Sequence, residues 1–514
     1  MPNRKPGLGG VLGGMLAAQS AFAQGDPLSV IDWVQRNPAA DAEIVMPNQS
    51  LNPRASGAAV RETASGLPPN VEVEPLDQQT TRLIGLVPSR VSGLPPSVWQ
   101  GSQPDRLDQM LTSLQTFKVP AAQSALYALL LTEAQSPGRD AEEADLFTLA
   151  RVRTLMRFGA LDPAMALIEQ ADVTRDAAHF AAYMDIALLT GAEDTACAVQ
   201  TDRPALAPDL AHQVFCAVRT GDFALAALLF GSARSLEIFA PPVEAALSRF
   251  IDPELADGAA PLRVPIPTAV TPLLFRLHEA IGEPLPSRSL PLAYAVANLR
   301  DLAGWKAQLE AAERLARGGA LPANRLLGYY SDRKPAASGG IWDRVASVQR
   351  LDKALAARSA NDVSAALPAA WQAMHEADLA VPFAILFSPA LDRIPATGST
   401  RRIIWEMAQV LPTSTNGDTS VRSIPALVAA ATSRSVASAV DLGFSDGAAR
   451  SDLIALKRQN RQGEALLLAL QLLENGAAGD PVSLAAGLGS LRALGQESIA
   501  RDAAAQIIIL GPYS

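Results

Sequence analysis

The chain has 514 residues, of which 49% are apolar but only 5% are aromatic, and its formal net charge is −9. An acidic protein repels the phosphate backbone of nucleic acids and the anionic surface of a membrane, so neither is expected as its main partner. An interior of Ala and Leu with few rings favours closely packed helices over sheets. The composition therefore predicts an all-α protein.

The first 23 residues have the order of an export signal. Arg4 and Lys5 come first, an apolar run to Ala18 follows, and Ala21-Phe22-Ala23 fits a cleavage site. The residue directly after the cleavage point is Gln24 and not the Cys that lipid attachment requires. No later apolar run reaches the ~18 to 20 residues that span a bilayer. The sequence predicts a signal peptide at 1–23 and an exported, soluble, periplasmic protein without a transmembrane segment. The alternative is an ordinary disordered N-terminus.

Residues 24–96 are rich in Pro, Ser, Asn and Gly and keep no helical period beyond a turn or two, which predicts a flexible arm. Two short apolar islands interrupt it, one from Pro27 to Val34 and the other from Val71 to Glu74. Either both islands pack back on the helical body, or they recognise a partner. Trp33, in the first island, is the candidate partner-binding residue of the arm.

After the arm, helical periodicity continues to the end of the chain, interrupted by glycine breaks. Within each group, successive breaks lie 30 or 32 residues apart, a spacing typical of stacked helical hairpins. The sequence predicts helical-repeat regions at 97–260 and 412–514 on either side of a central helical region at 261–411. The breaks are at Gly159, Gly191, Gly221, Gly463 and Gly495.

This pattern resembles a degenerate tetratricopeptide-type array over Leu146 to Phe230 and over Ile454 to Leu510. Such arrays are overwhelmingly scaffolds for protein partners, so the resemblance implies an α-solenoid that binds proteins. With the run Asp26 to Trp33 directly after the signal, the whole chain is also similar to a group of exported helical proteins of alphaproteobacteria. That second resemblance implies no particular activity.

The chain has two cysteines, Cys197 and Cys216, in successive predicted helices on either side of a proline-containing turn. Both are about equally far from the centre of the turn, so an antiparallel hairpin brings them face to face. In an oxidising compartment such a pair predicts a disulfide. The alternative is two buried free thiols that behave as small apolar residues.

Motifs of known chemistry are incomplete in this chain. His278-Glu279 and His375-Glu376 lack the second histidine of the zinc motif H-E-x-x-H. Ser331 and Lys334 spell S-x-x-K, but the companion motifs of penicillin-recognising acyl transferases are missing. Glu497-Ser498 resembles the opening of a lytic transglycosylase domain, yet only 16 residues follow it. The sequence therefore predicts no enzyme, no metal site and no cofactor.

The segment 329–344 concentrates aromatic rings and cations. Interface hot spots have this composition, because rigid rings supply contact area and arginine supplies directional hydrogen bonds. We expect a partner-binding surface rather than an active site, with one of the two adjacent tyrosines exposed. The alternative is that the tryptophan only starts a helix and packs under the loop. The candidate partner-binding residues are Tyr329, Tyr330, Arg333, Lys334, Trp342 and Arg344.

These features predict a non-catalytic periplasmic scaffold or assembly factor that binds protein partners in the cell envelope. Two alternatives stay open. One is a periplasmic chaperone of a motility or envelope machine, and the other is a peptidoglycan-associated enzyme or enzyme regulator.

Overall fold

The computed structural model describes residues 83–138, 140–256, 258–264, 269–300, 302–413 and 423–511. Almost all regular structure in these ranges is α-helical, as the composition predicts. Two short strands, β1 (Leu83–Ile84) and β2 (Ala134–Gln135), pair antiparallel. The predicted signal peptide at 1–23 and the arm residue Trp33 lie outside the described residues.

Helices follow one another along the chain with short connections. The first half carries α1 (Ser89–Ser92), α2 (Pro104–Ser113), α3 (Pro120–Leu131), α4 (Ala141–Arg157), α5 (Leu161–Ala171), α6 (Ala177–Thr190), α7 (Glu193–Asp202), α8 (Leu210–Arg219), α9 (Phe223–Ser235) and α10 (Pro241–Ile251). The second half carries α11 (Pro272–Ala280), α12 (Trp305–Arg317), α13 (Ala323–Ser331), α14 (Ile341–Ala356), α15 (Ala360–His375), α16 (Ala380–Leu391), α17 (Gly398–Val410), α18 (Ile424–Ala430), α19 (Arg434–Gly443), α20 (Ser451–Arg458), α21 (Gln462–Ala477), α22 (Pro481–Ala493) and α23 (Glu497–Leu510). Short 3₁₀ helices lie at Pro204–Leu206, Pro253–Ala256, Ser287–Ser289 and Leu292–Leu299.

Glycines with positive φ separate the helices of the first predicted repeats. Gly159, Gly191 and Gly221 have φ of 76°, 86° and 85°. This left-handed conformation is free of strain for glycine, so the chain can leave one helix and begin the next within a few residues. The helices on the two sides of each break pack against each other: α4 on α5, α6 on α7, and α8 on α9. The predicted hairpin breaks are confirmed at these three positions.

Cys197 in α7 and Cys216 in α8 form a disulfide, with their Cα atoms 5.0 Å apart. Both cysteines are buried, and the two helices pack against each other across the connection that holds Pro204–Leu206. The predicted pairing is therefore confirmed, and the alternative of two free thiols is wrong.

The last part of the predicted arm is folded onto the helical body. Ile84 and Leu94 are buried. Arg151 is buried as well, and its guanidinium donates to the carbonyl oxygens of Leu130 at 2.6 Å and Ile84 at 2.9 Å. Burial lowers the pKa of Arg151 to about 9. The prediction of a flexible arm is therefore wrong over 83–96, because these apolar side chains and carbonyl groups have partners in the helices.

Helices near the end of the chain pack against helices near its start. α23 contacts both α3 and α17, and α21 also contacts α3. The backbone N–H of Gly463 donates to the carbonyl of Val98 at 2.8 Å, and Arg106 Nε lies 2.7 Å from Glu464 Oε2. In a linear repeat array each unit contacts only its neighbours. The repeat pattern in the sequence therefore does not predict this closure.

The buried apolar side chains form two clusters. The larger one takes residues from 84–297 and from 424–508, and the smaller one takes residues from 295–410. The predicted regions 97–260 and 412–514 thus share one core, and the central region 261–411 is divided between the two clusters. The first and last regions are one body rather than separate successive units.

Candidate functional site

The predicted binding segment runs from the end of α13 through a loop to the start of α14. Helix α13 ends at Ser331 and α14 begins at Ile341. Residues 331–334 and 336–340 are exposed, whereas the two ends of the segment are more buried. The segment therefore reaches the surface in its middle.

Two of the predicted binding residues are bound to a buried carboxylate, that of Glu313. Tyr330 is 1% exposed, and its hydroxyl donates to Glu313 Oε1 at 2.6 Å. Arg344 binds the same carboxylate with Nε at 2.8 Å and Nη2 at 2.7 Å. Burial, followed by the charge of Glu313, raises the pKa of Tyr330 well above its ordinary value. The prediction that Tyr330 and Arg344 belong to an open surface is wrong, because the buried carboxylate takes both as partners.

Tyr329 is half-buried, and its hydroxyl donates to the carbonyl of Leu299 at 2.9 Å. Its own carbonyl accepts a hydrogen bond from Trp305 Nε1 at 2.9 Å. Neither adjacent tyrosine is therefore exposed, contrary to the expectation for this pair. The physical reason is that the two rings enter different seams, Tyr330 toward α12 and Tyr329 toward the end of the 3₁₀ helix Leu292–Leu299.

Trp342 packs against a second tryptophan. Its ring centroid lies 5.1 Å from that of Trp305, at the start of α12. Trp342 occupies the first turn of α14 and is half-buried, so the alternative in which it starts a helix and packs under the loop describes part of its role. The solvent-exposed part of the Trp342 side chain lines a surface depression.

This depression, of about 550 Å³, is the open part of the predicted surface. Trp305 and Trp342 line it together with three cations, Lys306, Arg333 and Lys334. Arg333 and Lys334 are exposed, as the sequence predicts for surface cations. An apolar floor with a cationic rim suits an apolar side chain of a partner that is flanked by carboxylates. We call these five residues the tryptophan depression.

The incomplete motifs occupy structural positions. Ser331 is the last residue of α13, whereas the serine of an acyl transferase has to stand at a helix start. Glu497 forms ion pairs with Arg492 at 2.9 Å and with Arg501 at 2.8 Å. His375 Nε2 lies 3.1 Å from the carbonyl oxygen of Leu510, at the contact between α15 and the end of α23. Glu497 and His375 therefore connect neighbouring helices.

A deeper cleft of about 410 Å³ lies where the beginning, middle and end of the described chain meet. Its walls include Ala125 of α3, Ile385 of α16 and Ile499 of α23. Gln506, a polar lining residue, accepts from the Ala121 N–H at 2.8 Å and donates to the Val410 carbonyl at 3.1 Å. The side-chain amide of Gln506 therefore has partners within the fold, in α3 and α17. Sequence reasoning missed the cleft because its walls are far apart along the chain.

No family model, curated protein or solved structure matches this chain. Among the residues that the structure describes, no group of three or more His, Cys, Asp or Glu side chains is placed to hold a metal ion. In the same ranges, no helix is both long and apolar enough to cross a membrane. The functional assignment therefore rests on the geometry of the surface.

Proposed function

We propose that this protein is a non-catalytic periplasmic scaffold or assembly factor that binds protein partners in the cell envelope through a TPR-like, solenoid-type helical surface. The observation that carries the proposal is the tryptophan depression. Its two indoles are held in place by the fold, and its exposed cations stand beside them. Rigid aromatic rings next to arginine dominate the energetics of protein interfaces.

The periplasmic placement is supported by the signal-like residues 1–23 and by the disulfide. Disulfides persist in oxidising compartments and are rare in the reducing cytosol. The bond between Cys197 and Cys216 is buried and links two neighbouring helices. A bond in this position has a structural use, whereas catalytic and regulatory disulfides are typically exposed.

The charge around the depression favours an acidic partner. Its lining holds three cations and one acid, Glu310. Glu310 already lies 2.6 Å from Arg288 Nη2 and 3.6 Å from Lys306 Nζ, so its charge is compensated within the chain. Arg333 Nε likewise lies 2.9 Å from Asp332 Oδ2, so three cations and two acids leave one net positive charge at the rim, which favours an acidic partner there.

Site-specific photocrosslinking in intact envelopes tests the proposal. A photoreactive residue at Ala336, on the rim, should give a discrete adduct with one protein. The double charge reversal Arg333→Glu with Lys334→Glu should weaken that capture by about 30-fold, since losses of ~2 kcal/mol or more are typical of hot spots. Lys353→Glu, at an exposed cation later in α14, is the matched control and should leave the adduct unchanged.

Other outcomes separate the alternatives. An adduct that survives the double charge reversal would place the interface elsewhere on the chain. Adducts with peptidoglycan fragments would favour the wall-associated alternative, and adducts with many unrelated unfolded proteins would favour the chaperone. All substituted side chains in this test are exposed, so the melting temperature should stay nearly constant.

A further inference from the structure

The last turn of α13 has no glycine directly after it. The helix ends at Ser331, and the next glycine in the chain is Gly339. The last carbonyl groups of a helix have no N–H donor within the helix, and a left-handed glycine often closes such an end. Here a donor comes from α14 instead. Gln349 donates from Nε2 to the carbonyl of Tyr330 at 2.6 Å and to the carbonyl of Arg333 at 2.7 Å.

These two bonds fix the backbone of the exposed segment 331–334. The amide nitrogen of Gln349 carries two hydrogens, and each has one carbonyl oxygen as its acceptor. Because Gln349 belongs to α14, the bonds tie the end of α13 to a neighbouring helix. Lys334 is restricted further, since it precedes Pro335 and such a residue is largely confined to extended conformations. Two cations of the tryptophan depression therefore start from a fixed backbone.

The same face of α14 carries an indole of the depression. Trp342 and Gln349 are seven residues apart, which is only about 20° short of two full helical turns. Trp342 lines the depression, whereas Gln349 does not. At the other end of the loop, the N–H of Gly339 donates to Asp343 Oδ1 at 3.0 Å. Side chains of α14 thus bind both ends of the loop that carries the cations.

We propose that Gln349 is a positioning residue of the tryptophan depression, which holds Arg333 and Lys334 beside the indoles before a partner binds. This inference rests on the proposed function of that surface. The ion pair of Arg333 with Asp332, at 2.9 Å, joins two adjacent residues and cannot fix the segment to the body. The backbone bonds from Gln349 do so. A site whose charged groups are already in place loses less conformational entropy when its partner binds.

Gln349→Met tests whether these bonds fix the segment, because methionine is similar in size to glutamine and has no N–H to donate. A nitroxide on Ala336→Cys, in the exposed loop, should become more mobile in this variant. The native cysteines are joined and take no label. The carbonyl of Arg333 lies at the surface, where water can replace the lost donor. The melting temperature should therefore fall by no more than about 4 °C.

Gln372→Met is the matched control for this measurement. The amide of Gln372 donates to Glu376 Oε1, four residues along the chain from α15, and binds no part of the loop. The mobility of the label should stay as in the wild type.

Photocrosslinking in intact envelopes measures the effect on the partner. The photoreactive residue stands at Gly304, which lines the depression on the side of α12, has an ordinary φ of −63° and leaves room for a side chain. Gln349→Met should lower the yield of the adduct about tenfold, since two long cationic side chains then have to be ordered on binding. In the background of Arg333→Glu with Lys334→Glu, the same substitution should change nothing further, because Gln349 acts through these two residues.

The outcomes separate this inference from the proposed function. An unchanged label, an unchanged adduct yield, or an equal further loss in the charge-reversed background overturns the role of Gln349. A large fall of the melting temperature does so as well, because Gln349 would then be needed for the fold. If the wild type gives no discrete adduct, the proposed function fails, and the label still decides whether Gln349 fixes the segment.

Discussion

Asp185 of α6 is a carboxyl group whose titration is shifted by its surroundings. Burial raises its pKa from 3.8 to about 6, while the charge of His212 opposes the shift and that of Asp209 adds to it. The folded chain therefore keeps this proton over a pH range in which the unfolded chain has lost it. The contribution of Asp185 to stability is complete below about pH 4 and is lost as the pH rises through 6.

Asp185→Asn should remove the loss of stability that deprotonation of Asp185 causes at high pH. We expect the free energy of unfolding to rise by ~1 to 3 kcal/mol relative to the wild type near pH 8, because a shift of about two pKa units corresponds to that range. Near pH 4 the two proteins should differ little. Urea unfolding at both pH values measures the difference. An equal effect of the substitution at both pH values would show that the carboxyl group does not titrate in the folded chain as described.

At the same scale, the tyrosine pair shows how far a sequence pattern leads. Local composition correctly placed Arg333 and Lys334 on the surface, because they follow the end of a helix. It placed Tyr330 wrongly, because the acceptor of its hydroxyl group, Glu313, lies in another helix. The cysteines were predictable for the opposite reason, since both lie in one hairpin whose turn is visible in the sequence. Contacts within a hairpin can be derived from spacing, and contacts between hairpins cannot.

Among the elements, the hairpin of α7 and α8 carries the disulfide and also supports α9. The two cysteines are 19 residues apart in the sequence. Closing a loop of this size restricts the unfolded chain and typically stabilises the folded one by ~3 kcal/mol. The helices around the bond are well packed, so reduction should destabilise the hairpin without dissolving the rest of the body at once.

Reduction of the wild-type protein should therefore lower the free energy of unfolding by ~3 kcal/mol. The double substitution Cys197→Ala with Cys216→Ala should give a similar loss and should no longer respond to the reductant. Hydrogen exchange in α8 and α9 should rise before exchange in α21, because α9 is mounted on α8. An unfolding free energy that reduction leaves unchanged would show that the bond does not stabilise the fold.

Element boundaries were predictable where the chain marks them with special residues. Gly191 ends α6 in a left-handed conformation, and Asp222 caps α9 by accepting from the Leu225 N–H at 3.0 Å. The end of the arm carries one such mark, because Gly93 ends α1 in a left-handed conformation. The sequence pattern does not show, however, that Arg151 donates to the carbonyl of Ile84 and so helps to hold the segment on the body. A low-complexity segment can thus be ordered by a side chain that lies far along the sequence.

For the whole molecule, the decisive contact is the closure between the two ends of the described chain. Trp99 is fully buried, and the start of α21 lies directly on its ring. Gly101 N donates to the carbonyl of Asn460 at 2.9 Å, beside the bond between Gly463 and Val98. Glycine is needed at both contacts. A side chain on Gly101 would overlap the backbone of Gln459 and Asn460, and one on Gly463 would overlap the indole of Trp99. The spacing in the sequence predicts that Gly463 is a repeat break. In the structure the same glycine also lets α21 lie directly against the ring of Trp99.

Gly463→Ala tests whether this closure stabilises one cooperative body. The added methyl group would overlap the ring of Trp99, and the fully buried ring has little room to move. We expect a loss of ~1 to 3 kcal/mol, typical of an overpacked core, and a lower melting temperature for the helices at both ends of the chain. Gly328→Ala in α13 is the matched control, because a methyl group there meets no atom of the described chain within 4 Å and should stabilise the helix by ~0.5 to 1 kcal/mol. Thermal unfolding followed by circular dichroism measures both variants, and hydrogen exchange locates the effect. If Gly463→Ala melted like the wild type, or if hydrogen exchange rose only in α21 and not around Trp99, the two ends of the described chain would not form one body. A rise of exchange in both places would show that the last helices complete the core that the first helices begin.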